Sequence, residues 1–139
     1  MSERYHLNNE KLIIANCSGF FGDRFSAAQE MVQGGPIHFL TGDYLAELTM
    51  AILLRKQFKD PNAGYVTTFL KQMEVVMGEC LDRRIKVVAN AGGLNPASLA
   101  KELEKVAGSL GLRPKIAYVE GDNLMQRLQD LQDLSLIHI

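Results

Sequence analysis

Four short polar segments of this chain pair glycine with Asp or Asn: residues 16–24 (NCSGFFGDR), 41–43 (TGD), 90–96 (NAGGLNP) and 120–122 (EGD). Glycine lets a backbone approach a ligand closely. A following helix start offers unpaired N–H groups and partial positive charge, which suit phosphate or carboxylate. The candidate ligand-binding residues are therefore Asn16, Ser18, Gly19, Gly22, Asp23 and Arg24 in the first segment and Gly42 and Asp43 in the second. The third and fourth segments add Asn90, Gly92, Gly93, Asn95, Gly121 and Asp122.

Each of these has a plainer reading. Asp23, Asp43, Asn95 and Asp122 stand where a helix N-cap is expected, and Gly42 and Gly121 suit turns. Capping does not account for Asn16, Ser18, Arg24 and Asn90; Asn16 and Asn90 end apolar runs, where an amide must find partners. Arg24 can hold an anion with its planar fork or pair with Asp23 or Glu30. Asp43 and Glu47 lie four apart, so on one helix they could share a proton or a metal; a cap beside a solvated acid is the alternative. No catalytic residue is assigned beyond these weak candidates. Cys17 has no histidine near it in sequence and is expected to be a buried thiol rather than a nucleophile. His6, His38 and His138 are too scattered for a zinc site, and His38 is expected to be a core histidine. GxGxxG, GxxxxGK[ST] and a Tyr-x-x-x-Lys pair are all missing, so no cofactor is evident.

The segments need elements to position them. Apolar runs at 12–15, 37–40, 85–89 and 116–119 read as strands covered on both faces, with Ile14, Leu40, Val87 and Ile116 buried at their centres. Helical spacing covers 24–32, 44–59 and 66–83, the last with Phe69, Met73, Val76 and Cys80 on one face. A fourth helix starts at the Asn95–Pro96 signal, buries Leu99, Leu103, Val106 and Leu110, and stops at Gly111. A last helical pattern runs over 123–133. This alternation predicts an α/β fold: an open doubly wound, mostly parallel sheet with helices on both faces. Every polar segment then lies at a strand's carboxyl end, and a switch in strand order would open a crevice between two of them. The similar exits at 16–20 and 90–94 read as two related halves or as two similar turns.

Composition limits the function classes. Apolar residues make up 47% of the chain, enough for a core, and 15 basic against 16 acidic residues leave a net charge of −1, without the basic excess of a general nucleic-acid binder. No stretch is long and apolar enough to span a bilayer. Two unspaced cysteines read as free thiols of a reducing compartment, the cytoplasm. Residues 1–133 are expected to form one domain, and 134–139 a tail foreign to it or a natural apolar strand.

The segments NCSGFFGDRFSAAQEMVQGGPIHFLTGDYLAELTMAIL, GYVTTFL, NAGGLNP and YVEGD together resemble the N-terminal domain of acyclic terpene utilisation (AtuA-like) proteins over about residues 12–122. Cys17 stands where that family is expected to carry a small residue such as alanine. The resemblance implies a role in breaking down citronellol- and geraniol-type isoprenoids, whose intermediates travel as coenzyme A thioesters, and such a thioester fits the anion-friendly segments. It also implies a longer parent chain as a partner of this domain; an oligomer is open. Two other functions stay in view: a non-catalytic binding or assembly module of that pathway, and an atypical nicotinamide-dependent oxidoreductase.

Overall fold

A computed structural model describes residues 11–127 and 129–131. The tail at 134–139 and the end of the last helical pattern lie outside the described residues. Three parallel strands form one sheet in the order β1-β2-β3: β1 is Ile14–Asn16, β2 Phe39–Gly42 and β3 Lys86–Ala89. Ala15 stands beside Leu40 and Leu40 beside Val87. The connections hold α1 (Ala27–Gln33), α2 (Glu47–Lys59) and α3 (Thr67–Asp82); α4 (Pro96–Ser109) follows β3.

Side chains alternate across a strand, and here burial alternates with them. Ala15, Leu40 and Val87 share the core face, where Leu40 is fully buried and Val87 half-buried. Ile14, Phe39 and Lys86 share the other face, as do Asn16, Thr41 and Val88; Ile14 and Val88 are each 58% exposed. Helix α1 packs on β1 and β2, α3 on β3, and the two helices pack on each other, with α4 outside α3. The α/β architecture and the open parallel sheet are as expected. The second helical layer is not present among the described residues. Strand order gives the reason: strands added in one direction through right-handed crossovers put the helices that pack on them, α1 and α3, on one face. Ile14 is accordingly not a core residue.

The run at 116–119 is not a strand. Among the described residues no ladder pairs it, Ile116 is only half-buried, and Val119 is 90% exposed. An apolar run becomes a strand only with an edge to bond and a surface to cover it. Among the described residues of the pattern at 123–133 there is a 3₁₀ turn at Leu124–Arg127.

Helix ends follow local chemistry where the sequence signals were strongest. Asn95 accepts from the Ser98 N–H at 3.1 Å, with Pro96 in the first turn. Gly111, at φ +68°, closes α4: its N–H donates to Gly108 O and the Leu112 N–H to Ala107 O, the paired bonds of a Schellman end. Cys17 and Cys80 are both free and buried, and no described helix is long and apolar enough to cross a membrane.

Candidate functional site

The exits of the three strands are tied together at one edge of the sheet. The Cys17 N–H donates to Thr41 O at 2.8 Å, and the Asp43 N–H to Ser18 O at 3.0 Å, which joins the first exit to the second. Asn90 joins the second to the third: its Nδ2 donates to Asp43 Oδ1 at 2.6 Å, and its Oδ1 accepts from the Tyr44 N–H at 2.8 Å. Asn16 Nδ2 donates to Ser18 O, while Thr41 Oγ1 donates to Asn16 Oδ1. The two strand-ending amides thus differ in role. Asn16 folds its own turn and takes the Thr41 hydroxyl of β2, whereas Asn90 holds the Asp43 side chain and the Tyr44 N–H, so the repeated Asn–small–Gly pattern marks a strand exit rather than a shared task.

Two of the proposed caps are not caps. Helix α1 begins at Ala27, and Asp23 instead closes the loop before it, accepting from the Gly19 N–H at 2.9 Å and the Arg24 N–H at 2.6 Å. Those two bonds lower the Asp23 pKa below the ordinary carboxylate value. Helix α2 begins at Glu47 behind an extended Ala46 with no side-chain cap. Asp43 therefore lies in extended chain before the helix, and Asp43 and Glu47 do not share a helix face. In this extended segment Asn90 supplies the partner of the Tyr44 N–H. Arg24 pairs with Glu30 at 2.7 Å; both are exposed. His38 is exposed rather than core, and its Nδ1 accepts from the Ile13 N–H.

Glycines of the second and third exits are set by the protein's own packing. A Cβ on Gly42 would meet the Tyr44 ring, one on Gly92 the Pro96 ring at 2.7 Å, and one on Gly93 the Leu53 side chain and Gly64 O. Leu53 belongs to α2, whose Lys56 also sits 5.2 Å from the Phe21 ring centroid. Helix α2 therefore spans the exits of β1 and β3. Gly22 has a positive φ, +87°, and open space around it. Gly121 and Asp122 follow no strand and are exposed, so the reason for placing them at this edge is gone. With no reversal in strand order, the described sheet also has no switch point to open the expected crevice.

Beneath the edge lies a cluster that sequence reasoning missed. Tyr44 is fully buried; its hydroxyl donates to Gln72 Oε1 at 2.5 Å and lies 3.7 Å from Cys17 Sγ. Gln72 Nε2 reaches Phe25 O. Burial pushes the Tyr44 hydroxyl and the Cys17 thiol up, which disfavours a Cys17 thiolate. The available signal was Gln72, a polar residue three beyond Phe69 on the buried stripe of α3. Asp43 is the carboxylate left exposed at the edge: Asn90 holds one of its oxygens, and the other is able to accept a hydrogen bond. Among the described residues no group of three His, Cys, Asp or Glu side chains stands ready for a metal.

A one-sided parallel α/β sheet, with its three strand exits bonded into a single polar edge, defines the class. The chain belongs to the acyclic terpene utilisation family AtuA, whose family model matches residues 12–138. Comparison with curated proteins and with solved structures found no match.

Proposed function

We propose that this domain serves acyclic terpenoid catabolism by binding an anionic ligand of the acyl-coenzyme A class at the loops leaving β1, β2 and β3. One observation carries the reading. Asp43 is free of the capping role its position suggests, yet the Asn90 amide fixes its orientation at 2.6 Å. A carboxylate held that way can accept a hydroxyl or amide proton from the ligand. The N–H groups of the uncapped first turn of α2 favour an anionic group a few residues away. Two free, buried thiols fit a reducing compartment, the cytoplasm.

Calorimetry with a terpenoyl-coenzyme A, on the native chain and on Asp43→Asn, tests this. An asparagine can still accept from Asn90, so the melting temperature should hold while affinity falls about tenfold or more, as for loss of a charge-assisted bond. Unchanged affinity would remove Asp43 from the site. Ligand binding by the native protein without turnover favours the second reading, a binding or assembly module of the same pathway; exposed Ile14 and Val88 on the outer face of the sheet support that alternative.

A further inference from the structure

Helix α2 has two apolar faces, and its fold uses one. Thr49 and Leu53 are buried, Leu53 against the third exit. The opposite side carries Glu47, Leu48, Ala51, Leu54, Arg55, Phe58 and Lys59, all exposed. Leu48 is 74% and Phe58 80% exposed. These positions recur at spacings of three and four, the periodicity of a helix-packing seam. A helix facing only water shows polar residues there.

We infer that this face of α2 docks against α2 of a second copy of the chain, antiparallel, about a two-fold axis level with Leu53. The charges choose the partner and the direction. The acid stands at the N-terminal end of the seam, as Glu47, and the bases at its C-terminal end, as Arg55 and Lys59. Among the described residues none of these three has an ion-pair partner within its own copy. Turned antiparallel, Glu47 meets Lys59 of the second copy, Leu48 meets Phe58, and Leu54 lies nearest the crossing, with the small Ala51 one turn before it. Two-fold symmetry makes each pairing twice. A parallel arrangement would set Glu47 on Glu47 and Lys59 on Lys59, which repel. The face is therefore complementary to itself in one orientation.

Sedimentation of the 139-residue chain from about 1 to 500 µM, a range suited to a small interface, should show a monomer–dimer equilibrium. Phe58→Lys should abolish the dimer. Glu47→Lys and Lys59→Glu should each raise the dissociation constant about tenfold, since each turns two attractions into two repulsions. The double reversal should restore it. All three positions are exposed, so the far-ultraviolet circular dichroism should not change. Mixed Leu48→Cys and Phe58→Cys proteins should oxidise to a cross-linked dimer faster than either alone. A native chain that stays monomeric throughout overturns the inference. A double reversal no better than its parents, or Leu48→Cys cross-linking fastest to itself, does the same.

Discussion

Gly93→Ala should destabilise the domain through contacts that can be counted in advance. The residue has φ +53°, where a side chain costs about 1–2 kcal/mol, offset by roughly 0.4–1 kcal/mol from a less flexible unfolded chain. Gly111→Ala meets the same backbone cost at φ +68°, with nothing within 4 Å of the new methyl group. It should therefore cost about 0–1.6 kcal/mol. At Gly93 the methyl group would stand 2.7 Å from Gly64 O, the acceptor for the Leu94 N–H at 2.8 Å, and would press on fully buried Leu53. Displacing that carbonyl puts a bond worth about 1 kcal/mol at risk, and overpacking adds about 1–3 kcal/mol. The gap between the two variants should be about 2–4 kcal/mol, or roughly 1–2 M in urea midpoint at a slope near 2 kcal/mol/M. In the Leu53→Ala background the Gly93→Ala penalty should shrink, since the methyl group then has room on one side. Equal losses at Gly93 and Gly111 would refute the reasoning, because backbone conformation alone would then explain both.

Asn90→Ala strips the Tyr44 N–H and Asp43 of their partner and should cost about 1–3 kcal/mol in urea unfolding; Asn90→Asp should be worse at pH 7 and recover in acid, as a second carboxylate beside Asp43 is neutralised. A cost below that of an ordinary surface substitution would mean Asn90 does not tie the edge. The Asp23 pKa is lowered in the folded state, so its contribution is present above the unfolded carboxylate value and lost as pH falls through the folded one. Gly19 amide exchange should accordingly speed up in acid beyond its intrinsic trend, and Asp23→Asn should remove that excess. Burial raises the Cys80 thiol to about 11, so iodoacetamide at pH 8 should label Cys80 only at the rate of unfolding; rapid labelling of the native protein would contradict its burial.

Helices were legible where a long apolar stripe met an unambiguous end. Phe69, Met73, Val76 and Cys80 are the buried face of α3, and Asn95, Pro96 and Gly111 bound α4. Strand existence was legible for three runs, but β1 and β2 begin two residues later than expected, so Asn16, Thr41 and Gly42 belong to the strands. Apolar Ile14 looked like core because a run of apolar residues says nothing about whether a second layer covers it. Four loops were expected at strand exits and three stand there, since the fourth depended on a strand that does not form. Asp23 and Asp43 looked like caps because Asp next to a helix fits both roles, and only the tertiary partners Gly19, Arg24 and Asn90 separate them. The Tyr44–Gln72 bond joins residues 28 apart and has no local signature.

The one-directional strand order also sets the sequence of events in folding. Each strand bonds to the strand that preceded it: Ala15 pairs with Leu40, and Leu40 with Val87. No early strand waits between two later ones, as it must when the order reverses. As the chain leaves a ribosome, the β1–α1–β2 unit can close before α3 and β3 have been made. Closing β2 onto β3 spans about twice as many residues, yet loop-closure entropy grows so slowly with length that the step costs only about 0.6 kcal/mol more. Growth by addition to one edge leaves β3 at the rim of the described sheet, the edge to which a further strand would add.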